Sequence, residues 1–236
     1  MDAMHRFAQG YNERLFAGGL RKWLHEARFR WLNSELEKRS VIEAAIVELG
    51  CFDCRTLRYI PRGYKTYRGF DADWEGGLTL ATARVTDSRV SLHRCQALSD
   101  FKIGPCDIVI SLETMEHLAP NDLPGYLREI AQNLSAHGVA LLSIPNETGP
   151  IFLAKQIYKA FFLEGARDYT LAETLFQTLG MVSLIERREH KGFSWRRFVD
   201  ELNLFLQVER VSGVQVRFLP SFLNPSIGIV ATKRRA

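Results

Sequence analysis

The sequence predicts an α/β fold in which parallel strands alternate with helices, and three stretches carry that expectation. Residues 105–146 read as a strand, a helix and a second strand, the βαβ unit of a parallel sheet. Ala44-Ala45-Ile46-Val47-Glu48-Leu49 is a short apolar run that stops at Gly50, and Tyr67-Arg68-Gly69-Phe70-Asp71 is another that ends on an acid. Open sheets of this kind bind ligands beyond the carboxyl ends of their strands. Gly50, Asp71 and the residues after Leu112 are therefore expected to share the edge where chemistry is done.

Taken in order, residues 1–39 form a helical region with Phe16, Leu20, Trp23, Leu24, Ala27 and Trp31 on one face. Arg14, Arg21, Lys22, Arg28 and Arg30 supply much of its basic charge, and Gly18-Gly19 divides it in two. Residues 1–40 are expected to be a helical lid apart from the main domain, 41–236. Such a segment covers a ligand mouth, lies on an anionic membrane surface or simply packs against the domain. A helix is expected to begin over residues 56–60. In the βαβ unit, residues 107–112 are the first strand, and Leu123, Tyr126, Leu127, Ile130 and Leu134 recur at helical steps. His137-Gly138 supplies the stop, and residues 139–144 suit a strand buried on both faces. Residues 149–172 are an insertion made apolar by Ile151, Phe152, Leu153, Ile157, Tyr158, Phe161, Phe162 and Leu163, with Lys155 and Lys159 on a polar side. It is expected to overhang the site as a substrate cap, with membrane or dimer contact as alternatives. The stretch from Pro220 to Pro225 reads as a loop, and Lys233-Arg234-Arg235 as a solvated terminus.

Composition sets limits. Hydrophobic residues are 46% of the 236 and charged residues 25%, which excludes a disordered chain. The net charge of +4 favours an anionic ligand or surface but is too small to require nucleic acid. No apolar run reaches the roughly 18 residues of a membrane span, and charges interrupt the N-terminus where a signal peptide needs an apolar core. A cytoplasmic location is expected, with peripheral membrane contact left open. Cys51-Phe52-Asp53-Cys54 has redox or metal spacing, but Cys95 and Cys106 offer no second pair, so thiols in a reducing compartment are expected.

Gly50 and Asp71 stand about as far apart as a nucleotide-binding turn and the carboxylate that grips ribose hydroxyls. A Cβ at position 50 is expected to block approach of the backbone to a ligand. Asp71 offers two acceptors to vicinal hydroxyls. Glu48-Leu49-Gly50-Cys51-Phe52-Asp53-Cys54, Gly69-Phe70-Asp71 and residues 107–146 together resemble the successive motifs of class I S-adenosylmethionine-dependent methyltransferases. The resemblance spans most of the chain after residue 40. It implies a Rossmann-like seven-stranded sheet, mostly parallel, with an antiparallel last strand inserted beside the fifth and sixth. Residues 204–216 and 226–233 would be the last two strands and 193–203 the helix before them. It also implies that Glu48, Gly50 and Cys51 line the methionine end of the cofactor, Asp71 and Ala72 its ribose, Gln96 and Ala97 its adenine, and Ser111 and Leu112 the floor. The chain departs from the pattern at Phe52 and Cys54, where the family's turn has its second and third glycines, and at Gln96, where it has an Asp.

Methyl transfer from a sulfonium is an in-line displacement, so alignment supplies much of the rate, and a hydroxyl acceptor also needs a base or a metal. Glu113, Glu116 and His117 at i, i+3 and i+4 fall on one face of a helical turn. They could hold Mg²⁺ or Mn²⁺. This Glu-x-x-Glu-His spacing is similar to that of quinone-precursor O-methyltransferases and small-RNA 3′-terminal 2′-O-methyltransferases. His190 precedes Phe193 and Trp195 as a metal-ligating His does in the RNA branch, which would make it a fourth ligand or the base. Glu116, His117 and His190 are thus the candidate catalytic residues. The expected function is O-methylation of a small-molecule, glycan or lipid-linked acceptor, with RNA as the second reading and a decayed interaction module as the third.

Overall fold

The computed structural model describes residues 19–162, 169–188 and 190–234. Seven strands are present: β1 (Ala45–Leu49), β2 (Thr66–Asp71), β3 (Val90–Arg94), β4 (Cys106–Leu112), β5 (Leu134–Pro145), β6 (Leu206–Gly213) and β7 (Ser226–Lys233). They form one sheet in the order β3-β2-β1-β4-β5-β7-β6. The first five pair in parallel, and β7 lies antiparallel between β5 and β6. The expected Rossmann-like sheet with an antiparallel end is therefore present. Chain order reverses between β1 and β4, which are neighbours, and such a switch point opens a crevice at the strand ends. Leu49 pairs with both Phe70 and Ser111, which brings Gly50, Asp71 and Leu112 to one edge.

Among the described residues six helices accompany the sheet: α1 (Gly19–Leu36), α2 (Gly77–Arg84), α3 (Leu123–Asn133), α4 (Gly149–Phe162), α5 (Leu171–Thr178) and α6 (Trp195–Phe205). Leu123, Tyr126, Leu127 and Ile130 of α3, with Phe198 and Leu202 of α6, are buried on one face. Ala27, Trp31, Leu32 and Leu36 of α1, with Leu78 and Ala81 of α2, are buried on the other. Sandwiched between these layers, β1, β4 and the second half of β5 are nearly continuous apolar runs. Gly228 of β7 is required by α1, because a Cβ there would stand 2.4 Å from the Trp31 ring. Glu35, buried on α1, ties it to β6 through Arg210. Helix α1 thus packs on the sheet, although Trp23, expected on its apolar face, is 42% exposed. The features read at Arg14, Phe16, Gly18, Leu163 and Arg235 lie outside the described residues. Among those described, no helix is long and apolar enough to cross a membrane.

Three expectations are corrected. The helix over residues 56–60 is a single 3-10 turn, Arg55–Arg58, because Pro61 drives Ile60 away from helical geometry. Helix α3 ends at Asn133 rather than His137, and β5 begins at once. Gly138 is a close-approach residue inside that strand: a Cβ would meet the Leu134 side chain at 2.7 Å and the Asp107 carbonyl oxygen at 3.0 Å. Lys233, read as solvated, ends β7 and donates to the Leu134 carbonyl at 2.8 Å.

Candidate active site

The turn after β1 keeps the backbone of a glycine-rich loop with fewer glycines. Gly50, Phe52 and Cys54 have φ of +79°, +44° and +57°. The two L-residues occupy a left-handed conformation that costs each of them about 1–2 kcal/mol. The turn is held in place by hydrogen bonds from the Phe52 and Asp73 backbone N–H groups to the two oxygens of Asp71, at 2.9 and 2.7 Å. The Phe52 ring lies over Gly77, where a Cβ would be 2.3 Å away. Gly50 is needed for a different reason than expected. Its Cβ would strike the Thr114 hydroxyl at 1.9 Å, so the obstacle is the protein's own loop after β4.

Glu48 points into the layer beneath this turn, where its carboxylate accepts from the Thr56 hydroxyl at 2.7 Å and from the Tyr67 hydroxyl. Burial dominates and pushes its pKa up to about 7. Asp71 is raised too, chiefly by burial, against the opposing pull of its two backbone donors. Cys51 and Cys54 are buried free thiols, and the neighbouring Cys54 and burial hold Cys51 well above the usual thiol range. Glu48, Gly50, Cys51, Phe52 and Leu112 line a cleft closed on its far side by Arg28 and Phe29 of α1. It is tight: about 40 Å³ is room for a water-sized occupant. A nucleoside is admitted only with the wall side chains turned aside.

At the adjoining strand end, the Gln96 and Ala97 N–H groups both donate to one oxygen of Asp100 at 3.0 Å, which lowers the Asp100 pKa. The Gln96 side-chain amide donates to the Ala72 carbonyl at 3.4 Å. Sequence reasoning missed Asp100, although an acid three residues after Ala97 and four after Gln96, just past a strand end, is a turn-fixing signal. A wider cavity of about 400 Å³ lies between α2 and β3. Its acid, Asp73, is already bonded to Thr79 and Arg94.

Beyond β4 the polar groups behave differently. Ser111 is fully buried, and its hydroxyl has no hydrogen-bond partner among the described residues. Glu113 adopts φ +56° and donates its N–H to the Ser143 carbonyl at 2.8 Å. Its carboxyl goes to the Ser226 hydroxyl and is raised in pKa mainly by burial, with Arg28 and Lys155 pulling the other way. Met115–His117 is a 3-10 turn. Glu116 is 1% exposed, and among the described residues neither carboxylate oxygen finds a hydrogen-bond partner in another residue. Burial and the charge of Glu113 hold its pKa well above the carboxylate range. The His117 Nε2 is 3.8 Å from it, and the His117 ring meets His190 edge-on at 4.7 Å between centroids.

Ligand atoms of Glu116, His117 and His190 all lie within 4.8 Å of one another, the spacing of a metal-ligating or proton-relay group. All three were singled out in the sequence, and the fold brings them together. Glu113 is not part of the group, because the left-handed backbone breaks the i, i+3, i+4 face that a regular helix would have made. Arg187, which the sequence did not single out, donates to the Glu116 carbonyl at 2.7 Å and lies over the Phe193 ring at 4.6 Å. Phe152 of α4 is buried against Tyr169, while Leu153, Ile157 and Tyr158 stay exposed on the same helix.

A switch-point crevice bordered by a left-handed turn, a strand-end acid and a carboxylate–imidazole group is the ligand-binding edge typical of Rossmann-like sheets. Residues 47–142 match a methyltransferase domain family. The fold is similar to an S-adenosylmethionine-dependent methyltransferase from Clostridium acetobutylicum, with TM-score 0.66 and 13% identity over 98% of this chain and 99% of that one. It is also similar to a putative methyltransferase from Haloferax volcanii solved with the Trm112 activator, with TM-score 0.64 and 13% identity over 99% of both chains. The small RNA methyltransferase HEN1 superposes with TM-score 0.61 and 15% identity over 90% of this chain and 26% of its own. No curated protein matches the sequence. The chain thus has the fold of S-adenosylmethionine-dependent methyltransferases and, over residues 47–142, matches a methyltransferase domain family.

Proposed function

We propose that the enzyme methylates a hydroxyl of a small-molecule, glycan or lipid-linked acceptor, using Glu116, His117 and His190 to manage the acceptor's proton. The observation that carries this reading is a buried carboxylate without a hydrogen-bond partner in another residue, grouped with two imidazoles at the end of β4. In this reading Glu48, Gly50 and Cys51 border the methionine end of the cofactor. Asp71 and Ala72 border the ribose, Gln96 and Ala97 the adenine, and Ser111 and Leu112 the floor. The oxygens of Asp71 each accept one backbone N–H and keep a second lone pair for a ribose hydroxyl. The donor's methyl then faces the Glu116-His117 turn.

A hydroxyl is a poor nucleophile until its proton is withdrawn. His117 or His190 takes that proton, with the Glu116 carboxyl beside the His117 ring. The three side chains also suit Mg²⁺ or Mn²⁺, which would polarise an acceptor oxygen and return Glu116 to its charged form. Exposed Leu153, Ile157 and Tyr158 of α4, with Leu171 and Leu175 of α5, support an acceptor with an apolar part.

A second reading, methylation of the 3′-terminal ribose of RNA, is supported by the His190 position and by the likeness to a small RNA methyltransferase. Calorimetry with S-adenosylhomocysteine tests the cofactor assignment, and a Kd of about 10 µM is expected. Methyl transfer from labelled donor is then compared between polyhydroxylated lipid or sugar acceptors and a short RNA, with and without Mn²⁺. Transfer to RNA alone, weakening steeply with salt, would replace the first reading by the second.

A further inference from the structure

The loop between β6 and β7 is built to hold an aromatic ring in the open. Leu219 donates its backbone N–H to the Val216 carbonyl at 3.2 Å, closing a turn with Arg217 and Phe218 at its centre. Asn224, fully buried, fixes that turn: its side-chain oxygen accepts from the Val216 N–H at 2.8 Å, and its amide donates to the Val216 carbonyl at 3.0 Å. Gly213 makes room for it, since a Cβ there would stand 2.1 Å from the Asn224 amide nitrogen. Yet Phe218 is 88% exposed at the tip, with Leu219 and Phe222 exposed beside it. The loop runs along α1, where the Gln215 side chain donates to the Leu24 carbonyl at 3.3 Å and Arg217 to the Ser34 hydroxyl at 2.9 Å. Asn146 latches it to the carboxyl end of β5, donating to the Phe222 and Asn224 carbonyls at 3.1 and 3.0 Å. Exposed Trp23 of α1 adjoins Leu24, and α4, which packs on the turn Ser221–Leu223, carries exposed Leu153 and Ile157.

We infer that the rim carrying Trp23, Phe218, Leu219 and Phe222 rests on the surface of an anionic lipid bilayer. Residues 214–225 contain no acid, and Arg217 is their one charge. Lys22 and Arg30, both exposed on α1, share a single acid, Glu26. Aromatic and aliphatic side chains set among an excess of cations suit a surface that is apolar within and negative at its face. A ring at the tip of a turn makes no concavity for a small ligand, but it can enter a soft apolar phase. A second copy of the chain is disfavoured, because a two-fold contact would set Arg217 and its neighbours against the same cations. The inference deepens the proposed function and rests on it for the acceptor, which would be lipid-linked and reach the Glu116-His117 turn from the membrane. The loop lies at the right edge for this, since Ser226 at its end pairs with Pro145 at the end of β5.

The test is co-sedimentation of the full chain with vesicles of phosphatidylcholine, alone or with about one-third phosphatidylglycerol, which needs neither acceptor nor turnover. Wild type is expected to bind the anionic vesicles at least about tenfold more tightly than the neutral ones, and less as salt rises. Phe218→Ser combined with Phe222→Ser should weaken binding to anionic vesicles at least about tenfold, and Arg217→Gln about fivefold. Both variants should keep S-adenosylhomocysteine affinity within about twofold of wild type, because neither touches the cleft. Wild type that stays in solution beside anionic vesicles at low salt, or vesicle binding unchanged in the double variant, would overturn the inference and leave methylation of a dissolved acceptor standing. A short RNA that binds wild type and is lost by the same variants, without vesicle binding, would give the surface to nucleic acid. A wild-type dimer that the double variant dissociates would give it to a second copy. Vesicle binding as expected with no transfer to any hydroxyl acceptor would remove the proposed function and keep the membrane surface.

Discussion

Between β1 and β3 the acids of the strand-end edge are occupied by the protein, while past β4 several polar atoms are left waiting. On the first side, Asp71 holds two backbone donors, Asp100 holds two more, and Glu48 accepts two hydroxyls. On the second, the Ser111 hydroxyl, the Glu113 Oε1 and both Glu116 oxygens are buried with no hydrogen-bond partner among the described residues. Leaving a buried polar group unmade costs about 1–3 kcal/mol. A fold tolerates that at one edge only if something else uses those groups. In the proposed function the first side shapes the pocket and the second acts on what it holds.

The contrast breaks most visibly if the second side proves structural. His117→Ala is expected to lower kcat by about 10³-fold with the S-adenosylhomocysteine Kd within about twofold, measured by methyl transfer and calorimetry. Retained turnover would move the base elsewhere. On the first side, Gly50→Ala is expected to destabilise the fold by about 2–4 kcal/mol in urea, since its Cβ meets Thr114 and φ is +79°. Adding Thr114→Ala should recover part of that, leaving the backbone strain.

The pH dependence of stability sharpens the comparison next. Glu48 binds its proton more tightly when folded, with pKa raised from 4.5 to about 7, so its contribution is complete below 4.5 and is lost as pH rises through 7. Between pH 4.5 and 8 wild type is expected to lose about 3 kcal/mol relative to Glu48→Gln, read from paired denaturation curves. A constant difference between the two would mean that Glu48 is not buried. The smallest effect has an unusual sign. Glu116→Gln removes an ionisable group from a site with no external hydrogen bond to lose, and should raise stability by about 1 kcal/mol near pH 8 while abolishing turnover.

Much of this was legible in the sequence because strands buried on both faces announce themselves as apolar runs. Residues 226–233 of the expected last strand are the observed β7, and the Gly50, Asp71 and Leu112 ends coincide as expected. Glu116, His117 and His190 were also legible as residue types, although 72 residues lie between His117 and His190 and only the fold rejoins them. What stayed hidden depends on backbone conformation and on neighbours distant in sequence. Glu113 looked like part of one helical face until a left-handed φ removed it. Gly50 looked like a ligand-clearance glycine, but the atom it clears belongs to Thr114. Arg28 and Arg187 were ordinary surface charges until packing carried one to the cleft and the other to Glu116.

The most direct test is a crystal structure with S-adenosylhomocysteine. The ribose is expected at Asp71, the amino-acid end beside Gly50 and Cys51, and the sulfur on the side of the Glu116-His117 turn. A ligand bound away from the β1–β4 crevice, or with its sulfur directed from that turn, would contradict the account.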